Sequence, residues 1–423
     1  MRRGWGQKGQ NERRAGWLAP RLVRGFWGTY GWGLMALHYQ TAGESHGPAL
    51  VTTVVGMPSG AAVDVEFINA ELRRRQGGYG RGGRQKIETD TVEVLTGVRR
   101  GLTIGSPVTL LIRNADSRLD DLTRTPPVHT PRPGHADLAG SVKYLTTDCR
   151  ETLERASARE TAARVAAGAL VQPMLAKFGI DVFGFTASVH GGASGFVPEA
   201  GRLAEARAAR EASETYCPDV GATAAQVAAI HTAKVEKTTV GGLIEAHVFG
   251  CPPGLGSTMD WRDRLDSRLA AAVMGIQAMK AVEIGLGKAC AGKFGHEVHD
   301  AIGFDAALKG SASLGFVRST NNAGGLEGGM TNGAAVVVRA AMKPISTLLR
   351  GMPSVDLNTK ESAASAYERS DICAVSAASV VLQSVVAFEV ARAFLEKFGG
   401  DTMVEVGANY EAFMAAARRL PLR

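Results

Sequence analysis

Arg318 to Gly333 reads R-S-T-N-N-A-G-G-L-E-G-G-M-T-N-G, and it restricts the fold more than any other stretch. Two glycine pairs and a terminal glycine rule out a helix interior or an ordinary strand, because glycine loses the most backbone freedom on ordering and packs nothing. Such a run offers tight turns and main chain that can close on a partner. Its spacings fit neither a Walker loop nor a Rossmann fingerprint. The whole chain shares this character, since 52 of its 423 residues are glycine, about 12% against ~7% in ordinary proteins. The expected fold is rich in tight turns, with loops that press backbone against a ligand.

The second informative stretch is Thr41 to Leu50, T-A-G-E-S-H-G-P-A-L. It sets Glu44, Ser45 and His46 side by side between Gly43 and Gly47. An imidazole titrates near working pH and suits acid–base chemistry. The same run also reads as a polar turn before an apolar strand, Leu50 to Val55. Asp64 then reads as the N-cap of a helix with Phe67, Ile68 and Leu72 inward. That helix runs into Arg73-Arg74-Arg75 and a glycine–arginine loop ending at Arg84. Residues 73–84 hold five arginines and no acid. Guanidinium forks match carboxylate and phosphate oxygens, and glycine lets N–H groups close on an anion. The pattern therefore reads as an anion site, against the plainer alternative of a solvated helix end.

Farther along, Thr91 to Val98 and Val108 to Ile112 read as an antiparallel pair joined through Gly101 to Pro107. A proline-rich loop, Pro131-Arg132-Pro133-Gly134-His135-Ala136-Asp137, holds His135. Ser157 and Glu160 have capping-box spacing, at the head of a helix with Ala162, Val165, Ala166, Ala169 and Leu170 on one face. Pro173 is expected to kink or end it. Its N-terminus, flanked by Arg155 and Arg159, reads as a phosphate seat. Residues 191–235 read as a surface excursion. Asp260 to Ala281 reads as one helix, with Leu265, Leu269, Ala272, Ile276 and Met279 as a stripe and Gln277 and Lys280 beside it. His296-Glu297-Val298-His299 lacks metal-ligand spacing and a third ligand, so no metal site is expected. A strand from Ala335 to Ala341 leads into Lys343-Pro344-Ile345-Ser346-Thr347. Arg369-Ser370-Asp371 precedes a helix carrying Ala378, Val381, Leu382, Val385 and Phe388, closed by Gly399-Gly400. A short helix is expected from Asp401 onward.

The net charge of +7 does not mark a nucleic-acid binder. Residues 1–34 carry seven basic side chains against Glu12 alone, so the remainder is close to neutral. That segment has no continuous apolar core for a secretory signal, although its arginines give it a superficial transit-peptide character. A misassigned start, with Met35 the true initiator, is expected, and residues 1–34 should be poorly ordered and outside the fold. Five dispersed cysteines argue against disulfides or a zinc ribbon and suit a reducing, cytoplasmic setting. No run approaches the ~18–20 apolar residues of a membrane span, so a soluble chain is expected.

Eight blocks in order resemble the chorismate synthase family from Met35 to about Gly400. They are G-E-S-H-G (43–47), R-R-R with the glycine–arginine loop (73–84), R-P-G-H-A-D (132–137), R-A-S-A-R-E-T (155–161), M-G-I-Q-A-M-K (274–280), A-G-G-L-E-G-G-M (323–330), K-P-I-S-T (343–347) and R-S-D (369–371). The resemblance implies an α+β fold, a sandwich of antiparallel β-sheets around a helical core, in one domain over 35–400 with a helical tail over 401–423. It implies anti-1,4-elimination of phosphate from 5-enolpyruvylshikimate 3-phosphate to give chorismate, in a cytoplasmic homotetramer. Reduced FMN (FMNH2) would be required without net redox change. NADPH would serve only indirectly, as reductant used by this chain or by a separate flavin reductase. No nucleic-acid or membrane partner is implied.

By the same resemblance the catalytic residues are His46, His135 and Asp371. One histidine protonates the departing phosphate, the other sets the flavin's protonation state, and Asp371 takes the proton released from carbon. Ser45, Arg74, Arg81, Arg159 and Arg369 would hold substrate. Arg155, Ala156, Ser157, Gln277, Ala278, Gly328, Lys343, Pro344, Ile345, Ser346, Thr347 and Arg369 would hold the flavin. Two departures stand out: Ser376 where close relatives often carry proline, and Gln383 where the family usually has glutamate. The second implies tuning rather than loss of activity. Rival readings are a catalytically silent flavin- or anion-binding scaffold, and a nucleic-acid binder acting through residues 1–34.

Overall fold

The structure is a computed structural model that describes residues 36–83, 87–366, 368 and 370–421. The N-terminal segment 1–34, Arg84 and Arg369 lie outside the described residues, and so do the expectations placed on them.

Period-two burial builds the first sheet. In Ala49–Val55, Leu50, Thr52 and Val54 point inward, and in Val108–Arg113 so do Val108, Leu110 and Ile112. With His38–Ala42 and Glu93–Thr96 these strands form an antiparallel sheet in the order 38–42, 49–55, 108–113, 93–96. The link between 93–96 and 108–113 is more than a plain loop, because Val98–Arg99 and Leu102–Thr103 pair as a small hairpin within it.

The inner face of this sheet lies on the helix Thr161–Lys177, with the helix Val65–Gln76 beside that helix. Asp64 caps the latter as expected, accepting from Phe67 N–H at 2.9 Å. Next comes the helix Val375–Phe398, buried along nearly all its length and flanked by Leu265–Met274. Its far side rests on a second antiparallel sheet, in the order 279–284, 336–342, 242–249, 181–189, 192–193. The architecture is the α+β sandwich that the resemblance implied. Gly168 sets the helix spacing: a Cβ there would stand 2.3 Å from Ser384 O on the 375–398 helix. Only a residue without a side chain admits that approach.

Several local expectations need correcting. Helix 375–398 has the length and apolarity of a membrane span, with mean hydropathy 1.6, yet 83% of that window is buried inside the protein. It is a core helix. Pro173 sits inside helix 161–177 without ending it, four residues short of its last residue; dense packing there outweighs the one lost hydrogen bond. The stripe over 260–281 divides: the helix stops at Met274, Gly275 follows, and Met279–Ile284 is a strand. Residues 191–235 are no mere excursion, since the helices Leu203–Ala212 and Val220–Val235 bury Arg210, Gln226 and Ile230.

The expected capping box at Ser157 is absent. Ser157 accepts from Arg159 N–H at 3.3 Å and begins a short 3-10 turn. Glu160 instead accepts from Thr41 Oγ1 (2.5 Å), Arg164 and Gln277.

Candidate active site

The N-terminal ends of helices 161–177 and 375–398 open on one cavity of about 520 Å³, lined by Thr161 from the first and by Ala374, Ala377, Ala378 and Val381 from the second. Helix N-termini favour anions there. Around them gather loops from the whole length of the chain, including residues 45–46, 81–83, 132–136, 276–278, 342–347 and 370–371. A cavity of this size suits a small-molecule ligand.

Among the described residues, six cations reach it: Arg75, Arg81, Arg118, Arg132, Arg159 and Lys343. Acids hold several of them in place. Asp371 pairs with Arg81 at 2.7 Å and accepts from Gly82 N–H at 2.6 Å. Arg159 donates to Asp90 (2.6 Å) and Asn114 (2.9 Å). Arg75 donates to Thr161 Oγ1 (2.9 Å) and Ala158 O (2.9 Å). Burial, reinforced by the charges of Arg159 and Arg81 against that of Asp90, pushes the Arg75 guanidinium down to about 9, still cationic at neutral pH. Burial and the Lys280 charge likewise lower the Lys343 ammonium.

Not every polar atom here is satisfied. Arg81 Nε, Arg159 Nη2 and Gln277 Oε1 are buried with no hydrogen-bond partner among the described residues. An orphaned buried donor or acceptor costs about 1–3 kcal/mol; Arg159 Nη2 has the Glu88 carboxylate 3.7 Å away.

Both histidines are clamped by buried carboxylates. His46 donates its backbone N–H to Glu154 Oε2 (2.8 Å) and Nδ1–H to Glu154 Oε1 (2.9 Å). Its Nε2 lies 3.3 Å from Arg118 Nη2 and 3.8 Å from Asp116 Oδ2. Burial raises the Glu154 carboxyl, but the His46 hydrogen bonds and the charges of His46 and Arg150 outweigh this and leave it below the ordinary range. His135 Nδ1 meets Asp137 Oδ1, and Arg132 Nε donates to Asp137 Oδ2 at 2.8 Å. Burial opposes ionisation of Asp137, yet hydrogen bonds from His135 and Arg132 hold it far below a normal carboxylic acid. Arg132 Nη1 also donates to Thr347 Oγ1 at 3.0 Å, tying this pair to the 343–347 turn.

Most of the residues singled out in the sequence come together here. Ser45, His46, Arg81, His135, Ala156, Ser157, Arg159, Gln277, Ala278, Lys343, Pro344, Ile345, Ser346, Thr347 and Asp371 all line the cavity. Three do not. Arg74 points into the interior, bonded to Glu71, and Arg75 takes the cavity side, because neighbours on a helix face about 100° apart. Arg155 braces the 41–43 turn, donating to Gly43 O (3.1 Å) and Thr41 O (3.0 Å). Gly328 turns the hairpin of Leu326–Glu327 and Met330–Thr331 at φ +59°, outside the cavity lining. Sequence reasoning missed Arg118, Asp116 and Glu154. Only Glu154, beside the R-A-S block, had a local signal.

Gln383 lies behind the site. It accepts from Gly184 N–H (2.9 Å) and Arg210 (3.2 Å) and donates to Glu71 (3.2 Å) and Gln172 (3.2 Å). Two of these bonds need an amide N–H that glutamate lacks. Among the described residues, no group of three or more His, Cys, Asp or Glu is placed to hold a metal ion.

Residues 37–395 match the sequence model of the family described as chorismate synthase. The chain is 50% identical over 391 residues to a chorismate synthase of Desulforudis audaxviator, covering 90% of this chain and 98% of that protein. It is also 50% identical over 398 residues to one from Symbiobacterium thermophilum, covering 90% and 100%. A crystal structure of a chorismate synthase superposes with a TM-score of 0.73 at 38% identity, covering 91% of this chain and 99% of that one.

Proposed function

The chain belongs to the chorismate synthase family, lyases that eliminate phosphate from 5-enolpyruvylshikimate 3-phosphate to give chorismate, and we propose that it does so in the cavity described above with reduced FMN as cofactor. The residues present fit that cofactor. Ile276, Ala278, Met342, Ile345 and Val381 offer an apolar wall for a flat ring, and the unpaired Gln277 Oε1 offers an acceptor for a ring N–H. Glu160 takes the amide N–H of Gln277 at 3.1 Å and leaves that oxygen without a hydrogen-bond partner among the described residues. When bound, the reduced flavin supplies electron density that stabilises charge or radical character as the substrate's C–O bond breaks.

The protein's own part is orientation and proton handling. Arg159, Arg118 and Arg75, beside the helix 161–177 N-terminus, hold the phosphate. His46 Nε2, next to Arg118, protonates it as it departs. Asp371, paired with Arg81 and accepting from Gly82 N–H, takes the proton that leaves carbon. His135, held through Nδ1 by Asp137 and tied through Arg132 to the 343–347 turn, is the imidazole assigned to the cofactor end. A cytoplasmic homotetramer and a single catalytic domain over 35–400 belong to the same proposal, as does NADPH acting only as a source of reductant.

One observation carries this reading: two carboxylate-clamped imidazoles and Asp371 share a cavity lined by Arg75, Arg81, Arg118, Arg132, Arg159 and Lys343. The test is anaerobic. Purified protein, enolpyruvylshikimate phosphate and chemically reduced FMN are followed for chorismate absorbance and released phosphate. Turnover with reduced but not oxidised flavin is expected; none with flavin verified as reduced defeats the proposal. NADPH plus oxidised FMN then distinguishes intrinsic flavin reduction from dependence on a separate reductase.

A further inference from the structure

The turn carrying His46 is held from two sides. The loop 116–119 latches its carbonyl, since Arg118 N–H (2.9 Å) and Leu119 N–H (3.0 Å) both donate to His46 O. The helix Arg150–Ala156 grips the other side: Ser45 N–H donates to Glu154 O at 3.0 Å, and the Glu154 side chain takes both the His46 N–H and Nδ1–H. Glu154 is 1% exposed, so water does not compete for its oxygens. An ionised carboxylate only accepts hydrogen bonds, so the ring proton at this contact resides on Nδ1. Arg150 Nη1 stands 3.5 Å from the same carboxylate, and its Nη2 donates to Glu368 at 2.8 Å. The charged groups facing the ring are therefore Glu154 with Arg150 behind it on one side, and Arg118 and Asp116 on the other.

We propose that Glu154 is a positioning residue for the elimination: it fixes His46 with a proton on Nδ1 and keeps Nε2 turned into the cavity as the nitrogen that exchanges a proton with the substrate phosphate. This rests on the role given to His46 above. When Nε2–H passes its proton to a phosphate oxygen, the electrons of the breaking C–O bond leave with the phosphate. The imidazole is then neutral and still donates Nδ1–H to Glu154, which takes up no proton itself. Glutamine in its place has one oxygen for two donors. With that oxygen on the His46 N–H, the amide NH2 faces Nδ1 and holds it as an acceptor, so the doubly protonated ring that gives up its Nε2 proton has no partner for Nδ1–H.

The full-length chain is assayed anaerobically as wild type, E154Q, E154D, H46A and H46A/E154Q. E154Q is expected to lower kcat about 10²-fold with KM within about threefold, as loss of an interaction serving the proton-transfer step should. E154D, which keeps both oxygens on a shorter stem, should recover part of that loss, and it carries the test if E154Q does not fold. On the H46A background E154Q should cost less than about threefold, because a residue acting through another has nothing left to act on. Equal losses with and without His46, or wild-type kcat in E154Q, overturn the inference. H46A activity within about threefold of wild type instead removes the role of His46 itself, which the single variant reports separately.

Discussion

Among the individual residues, the two histidines do not stand alone. Each imidazole in the cavity has one nitrogen committed to a buried carboxylate, Glu154 for His46 and Asp137 for His135. Commitment at Nδ1 leaves Nε2 as the exchangeable nitrogen, beside Arg118 (3.3 Å) in His46 and Arg132 (3.4 Å) in His135. Replacing His46 or His135 by alanine should lower kcat at least ~10²-fold; losses under threefold at both in the anaerobic assay would contradict their assignment. Asp137 also makes a stability prediction. Its folded carboxyl is held below the unfolded value of about 3.9. The pairing therefore stabilises fully above that value and fades as pH falls below it toward the folded one. D137N should destabilise by about 3 kcal/mol at pH 6, as breaking a buried pair does. In urea unfolding, the gap to wild type should narrow below about pH 4. A gap that stays constant or widens on acidification would mean that Asp137 is not ionised in its pair.

Elements were legible where local chemistry decides them. Asp64 as a cap, the period-two burial of 49–55 and the apolar helix 375–398 closing at Gly399 all follow from side-chain pattern. The misreadings arose where a partner far along the chain competes. Met279 falls at helical spacing after Ile276, yet it pairs with Met342 as a strand, because a long neighbouring strand offers its backbone a ladder. Glu160 leaves Ser157 for Thr41, Arg164 and Gln277, which no local rule contains. Close helix packing is the clearest test at this scale. G168A should lower stability by about 2 kcal/mol or more, through overpacking against Ser384, and calorimetry should show it as a reduced Tm. An unchanged Tm would mean that the helices part without cost.

At the scale of the whole molecule, segment 1–34 carries six of the seven net positive charges and the remainder is nearly neutral. Deleting residues 1–34 should leave turnover unchanged within about twofold while removing most salt-dependent retention on DNA. A large fall in kcat/KM would place that segment in the working enzyme. Phe294, Ile302, Phe304 and Phe316 are exposed on residues 294–316, an apolar surface larger than scattered single residues leave. The amino-acid sequence by itself determined the residue types of the site, its family blocks, and the elements whose burial follows from period and caps. Tertiary structure alone decided that Arg75 rather than Arg74 reaches the cavity, that Arg118 lines it while Glu154 backs His46, and that Arg155 and Gly328 do not line it. The reason is physical: hydrogen bonds such as Glu154 to His46 span 108 residues of chain, and a pairing at that separation exists only once sheets and helices have brought its two ends together.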